Sequence, residues 1–192
     1  MILAEKILKI EQVFDKLDQE ISSFQSWSGL HCKFGCGKCC LKPDIEATIL
    51  EFIPFAQYLY LNDTAFDWLD RLSKNESTIC LIFNATQAGA GLCTEYKYRG
   101  LICRLFGFSA RRNKYEKKEY VTCDVIKTEQ PTEYANACNK VETEENPIPL
   151  MHNYYMKLHS IDMELTRDFY PINTAIKKAI ETVLAYYAYR SN

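Results

Sequence analysis

Four cysteines crowd into nine positions, Cys32, Cys36, Cys39 and Cys40 in the stretch HCKFGCGKCCLKP, and this cluster limits what the chain can fold into more than any other feature. With Cys80, Cys93, Cys103 and Cys123, eight of the nine cysteines fall between residues 32 and 123. A chain of 192 residues with 47% apolar content can bury a core without disulfides, so the sulfurs are not needed to rescue a miniature fold. The N-terminal MILAEKILKIEQVFDKLDQE carries charges every few residues, which suits neither a signal peptide nor a membrane span. A cytoplasmic location is therefore expected, and in a reducing compartment clustered cysteines point to metal ligation or redox chemistry. The net charge of −2 gives no global attraction to nucleic acid or to an anionic membrane, so neither is expected as a partner.

Outside the cluster the pattern is helical. Leu3, Ile7, Ile10, Phe14, Leu17, Ile21 and Phe24 recur at spacings of three and four, which predicts an amphipathic helix over 3–24 that ends near Trp27 to Gly29. Its narrow seam has coiled-coil spacing, so it can pair two copies as a homodimer or pack on the chain's own helices. A helix opening at Asp44 and kinked at Pro54, a short one over 64–74, PTEYANACNKVE, a helix around 149–168 and a last one bearing Ile172, Ile176, Ala179, Ile180, Val183, Leu184 and Tyr187 complete the helical set. Between TICLIFN and EYVTCDVIK the pattern changes to short β-rich runs, with ARRNKYEKK as a polar turn between CRLFGFS and KEYVTC. QAGAG, residues 87–91, reads as a loop before Cys93 rather than a nucleotide-binding turn. The expected fold is mainly α with a small antiparallel β/loop insert carrying the cysteine cluster. It is read as one domain, 1–192, with a metal-binding core at 32–123 flanked by an N-terminal helix (1–29) and C-terminal helices (131–192).

Gly35 and Gly37 let the loop turn several sulfurs toward one ion, and the gap between Cys36 and Cys39 lets both grip a tetrahedral metal. Cys40 differs, because neighbouring side chains tend to splay apart, which suggests a second metal or a supporting role. Eight thiolates can make two four-sulfur sites, or one with sulfurs to spare. Zinc and iron–sulfur clusters both accept four thiolates, so spacing does not name the metal. His31 abuts Cys32 and could replace it as a ligand, whereas Cys138 lies in a helix-like run as a small buried hydrophobe.

C-x3-C-x2-C-C at Cys32 to Cys40, followed by ICLIF at Cys80 and CTEYKYRGLICRLF from Cys93, resembles the YkgJ-type cysteine-cluster family of zinc- or iron-chelating domains. Cys36, Cys39 and Cys40 match its core and Cys80 its lone cysteine. Cys93, Tyr96, Arg99, Cys103 and Arg104 match its second block, and Cys123 its trailing cysteine. Two departures stand out: the first gap is one residue longer, and Gly100 replaces the family's proline. The resemblance implies thiolate ligation through Cys32, Cys36, Cys39, Cys40, Cys80, Cys93, Cys103 and Cys123. Arg99 and Arg104 would offset the excess negative charge of an iron–sulfur centre or zinc. A related block occurs in flagellin lysine methylases, so the alternative is a cluster-dependent redox or methyl-transfer enzyme acting on a protein or small molecule. Cys32-x3-Cys36-x2-Cys39 also equals the spacing of radical S-adenosylmethionine enzymes, but the strand-helix rhythm of their barrel is missing and the other cysteines stay unexplained.

Overall fold

A computed structural model of the chain describes residues 1–33, 35–87, 90–141 and 146–190. The N-terminal seam produces helix α1, Leu3–Ser28. Leu3, Ile10, Phe14, Leu17, Ile21 and Phe24 are each at most 7% exposed. The seam is thus taken up inside the chain itself, the second of the two outcomes open to it. Gly29 ends α1 at φ +75°, its N–H donating to the Gln25 carbonyl at 2.9 Å, a left-handed cap that glycine enters without a β-carbon penalty.

The chain divides into two compact units. The first comprises Met1–Glu11, Gly35–Gly100 and Leu158–Asn192. In it α2, Ile53–Leu61, and α3, Ala65–Lys74, pack on α8, Ile172–Ala188. The face of α8 formed by Ile172, Ala175, Ile176, Ala179, Ile180 and Val183 is at most 2% exposed. The segment expected to start a helix at Asp44 is instead extended: Glu46–Ala47 (β1) pairs antiparallel with Tyr170–Pro171 (β6). Helix begins only after a 3₁₀ turn at Leu50–Phe52, because Pro54 falls in the first turn of α2, where its missing N–H removes no bond. Pro54 therefore starts this helix rather than kinking it.

Two further strands of this unit, Phe83–Gln87 (β2) and Ala90–Cys93 (β3), form an antiparallel pair with Phe83 opposite Cys93 and Gln87 opposite Ala90. QAGAG thus contributes to both strands, and its Ala88 and Gly89 lie outside the described residues.

The second unit comprises Gln12–Phe34 and Leu101–Lys157. CRLFGFS does not begin as a strand, since Leu101 and Leu105, four apart and both fully buried, give the short helix α4, Leu101–Leu105. The strands expected on either side of the polar turn follow as β4, Ser109–Arg112, and β5, Lys118–Val121. Asn113 closes that turn, its Oδ1 accepting from the Tyr115 and Lys117 amides at 2.8 and 3.1 Å. Then come α5, Asp124–Glu129, and α6, Pro131–Val141.

The helix expected around 149–168 is α7, Met151–Ile161. It stops early because the side chains of Asp162 and Thr166 bond to nearby backbone groups, Leu165 N–H at 3.0 Å and the Asp162 carbonyl at 2.6 Å. The architecture is mainly α with small antiparallel strand pairs. Among the described residues no helix is long and apolar enough to cross a membrane.

Candidate metal centre

Cys36, Cys39, Cys40, Cys80 and Cys93 belong to the first unit. Cys39 and Cys40 ride on a 3₁₀ turn, Lys38–Leu41, entered through Gly37 at φ +58°. A β-carbon on Gly37 would meet the Phe83 ring at 2.5 Å and the Gly91 carbonyl at 2.7 Å, so only glycine fits between this turn and the β2–β3 pair. Gly91 N–H also donates to the Gly35 carbonyl at 3.2 Å, fastening the loop to the strand that ends in Cys93. The segment carrying Cys80 is held by Asn173 of α8. Its Oδ1 accepts from Leu81 N–H at 2.8 Å, and its Nδ2 donates to the Ser77 and Ile79 carbonyls at 3.1 and 2.8 Å.

The sulfurs of Cys39 and Cys40 lie 4.0 Å apart, so the adjacent side chains do not splay as expected. Two thiolates on one tetrahedral zinc, with bonds of roughly 2.3 Å, stand roughly 3.8 Å apart. The pair is thus set near the spacing that one bound ion requires. The hydrogen bond from Cys40 holds the Cys39 thiol down at about 6, against partial desolvation and with help from the amides of residues 39 and 40 and the Arg99 charge. Burial pushes Cys80 up to about 11, with the neighbouring Cys93 adding to the rise. Cys93 is raised as well, chiefly by burial, although Arg99 opposes it. Arg99 lies over the Tyr96 ring at 4.0 Å, and its charge favours the thiolate form of both Cys39 and Cys93.

The second unit holds Cys32, Cys103, Cys123 and Cys138. Cys32 is exposed just after the end of α1. The backbone of His31 beside it is clamped by Gln130, which accepts from His31 N–H at 3.0 Å and donates to its carbonyl at 2.8 Å. Cys103 is half-buried in α4. Arg104, next along that helix, is 7% exposed, pairs with Asp18 of α1 and stacks on the Phe14 ring at 4.7 Å. Cys123 caps α5.

Cys138 on α6 is half-buried rather than enclosed. Its hydrogen bond with Tyr134, one turn earlier, pushes the tyrosine hydroxyl up. Tyr120 lies 6.0 Å from the Tyr134 ring and donates to the Gly107 carbonyl at 2.6 Å. Burial raises Tyr120 strongly, and the charges of Cys123 and Cys138 add to the rise.

Among the described residues, no group of three or more His, Cys, Asp or Glu side chains converges into a metal site. Cys39 and Cys40 are the part that stands assembled, and their donor chemistry fits a thiophilic ion. A helical scaffold with thiols on irregular turns beside a guanidinium defines a cysteine-cluster protein. The sequence model of the CxxCxxCC family, described as a "Putative zinc- or iron-chelating domain", matches residues 31–139, and the chain belongs to that family. No curated protein and no solved structure matches it.

The matched span reaches past Cys123 and takes in Cys138, which sequence reasoning set aside. The signal was there in Tyr134, four residues earlier on the same helix face. Phe83 was also missed; its ring is what leaves no room for a β-carbon at Gly37 or Gly91. Gly100, in place of the family's proline, has a steric reason here: a β-carbon there would meet Phe52 at 2.9 Å and the Glu51 carboxylate at 3.0 Å. Glu51 is 1% exposed and accepts from Thr48 N–H at 2.8 Å.

Proposed function

We propose that the protein chelates a metal through cysteine thiolates, with Cys39 and Cys40 as the nucleus of the site and an iron–sulfur centre as its native occupant. The observation that carries this reading is the 4.0 Å spacing of those two sulfurs beside the charge of Arg99. Cys36, Cys80 and Cys93, in the same unit, complete the set, and the family match over residues 31–139 keeps Cys32, Cys103 and Cys123 of the second unit as candidate thiolate ligands. Iron is favoured over zinc because the cysteines outnumber the four that one structural zinc requires, and because a nearby guanidinium suits a centre whose charge changes. Such a centre would supply one-electron transfer. The chain's own part is to present thiolates, to offset their charge through Arg99 and to shield Cys80 and Cys93 from water. Arg104, held by Asp18, serves the packing of α1 and α4. Nine reduced thiols suit a reducing compartment such as the cytoplasm.

Anaerobic purification followed by an absorption spectrum and elemental analysis tests the assignment. Brown protein with sulfur-to-iron charge transfer and several irons per chain is expected. Colourless protein that carries stoichiometric zinc and takes up no iron on reconstitution would assign the site to zinc.

A further inference from the structure

A pair of neighbouring thiols can close on itself as a disulfide or close on a third atom, and the distances here decide between the two. A disulfide brings its sulfurs to roughly 2.05 Å and usually joins α-carbons roughly 4.4–6.8 Å apart. Sequence neighbours are fixed at about 3.8 Å, and residues 39 and 40 are further committed to a 3₁₀ turn. Gly37, at the start of that turn, is hemmed in by the Phe83 ring and the Gly91 carbonyl, so the backbone has little room to open. A one-atom bridge sets the sulfurs far beyond disulfide length, roughly 3.8 Å on tetrahedral zinc and a few tenths of an ångström less on pyramidal arsenic, so the observed 4.0 Å needs only a small side-chain adjustment. Cys39 is exposed and Cys40 half-exposed, so a reagent reaches both.

We infer that Cys39 and Cys40 form a two-sulfur chelate for trivalent arsenicals, a ligand class different from the metal assigned above. Phenylarsine oxide, hydrated to its dihydroxide, carries two arsenic–oxygen bonds. Each thiol forms one arsenic–sulfur bond, each oxygen leaves with a thiol proton, and two waters are released with no change of oxidation state. The product is a nine-membered ring that runs from arsenic through both side chains and the peptide bond between them, and it occupies the sulfurs that the metal would use.

The test uses the 192-residue chain, metal-free and reduced, with one equivalent of phenylarsine oxide. Trypsin releases residues 39–71, a peptide in which Cys39 and Cys40 are the only cysteines. One phenylarsenic on that peptide is expected, resistant to excess glutathione and removed by dithiothreitol, as a chelate should be. Cys39→Ser and Cys40→Ser should each lose the glutathione-resistant adduct, whereas Cys80→Ser should keep it. Mild oxidation with diamide should leave both thiols of the peptide open to alkylation. An adduct mapping to Cys80 or Cys93, an adduct stripped by glutathione, its survival in both serine variants, or a ready Cys39–Cys40 disulfide would each overturn the inference. Because no metal is present, none of these outcomes bears on which metal the site holds.

Discussion

In the first unit the sulfurs ride on irregular backbone, a 3₁₀ turn and the end of a strand, and their acidities spread widely: Cys39 sits at about 6 and Cys80 at about 11. In the second unit Cys103, Cys123 and Cys138 sit in or at the start of helices, and Cys123 and Cys138 have phenols for neighbours. The contrast follows from what each backbone leaves over. A 3₁₀ turn points amides at Cys39 and lets the next sulfur donate to it, so a thiolate is stabilised before any metal arrives. Well inside a helix the amides are taken by the backbone, which leaves Cys138 of α6 to its side-chain neighbour Tyr134. A related contrast separates the ion pairs. In the second unit Arg104 is 7% exposed and pairs with Asp18, while in the first Lys6 and Asp162 pair at 19% and 17% exposure.

Of these two ion pairs, the one at Asp18 should matter more to stability. Asp18→Ala leaves the Arg104 charge buried without its carboxylate and should cost about 3 kcal/mol, the low end for a buried pair because Asp18 is itself 40% exposed. Urea unfolding measures it, and metal content per folded chain should not change. A parallel loss of metal would make Arg104 part of the site.

Gly91→Ala acts on the other region. Its β-carbon would strike the Phe83 ring and come within 2.6 Å of the Asn84 carbonyl, an overpacking worth about 2 kcal/mol. Here the metal should loosen along with the fold, read as faster loss to a chelator. Unchanged metal retention would show that the β2–β3 pair does not position the cysteine turn.

The periodic helices were readable because periodicity is local: α1 and α8 carry their buried faces in the spacing of Leu3 to Phe24 and Ile172 to Val183. β1 was not, since Glu46 and Ala47 become a strand only by pairing with residues more than a hundred positions away. The candidate ligands were legible as cysteines, but their division between two units depends on chain reversals that no local pattern encodes. The approach of the Cys39 and Cys40 sulfurs depends on rotamers that sequence does not specify.

The smallest effect expected is at Asp162. Burial opposes ionisation there, but the Lys6 hydrogen bond and the Leu165 amide outweigh it and hold the carboxyl below its ordinary value. The unfolded chain therefore takes up a proton first as the pH drops. The stabilisation is present above the ordinary carboxylate pKa and fades as the pH falls through the lowered one. Asp162→Asn should cost about 1 kcal/mol at neutral pH, and the gap from the unaltered protein should shrink in acid. A gap that is constant with pH would assign the effect to packing rather than charge.

Chelation by Cys39 and Cys40 is read by differential alkylation, in which metal-loaded and metal-stripped protein are each pulsed with N-ethylmaleimide and the modified cysteines are mapped by mass spectrometry. Cys39 and Cys40 should react quickly in the stripped protein and be the most strongly protected in the loaded one, with Cys36, Cys80 and Cys93 protected beside them. Equal labelling of Cys39 and Cys40 in the two states, with protection confined to Cys103, Cys123 or Cys138, would show that the pair does not hold the metal.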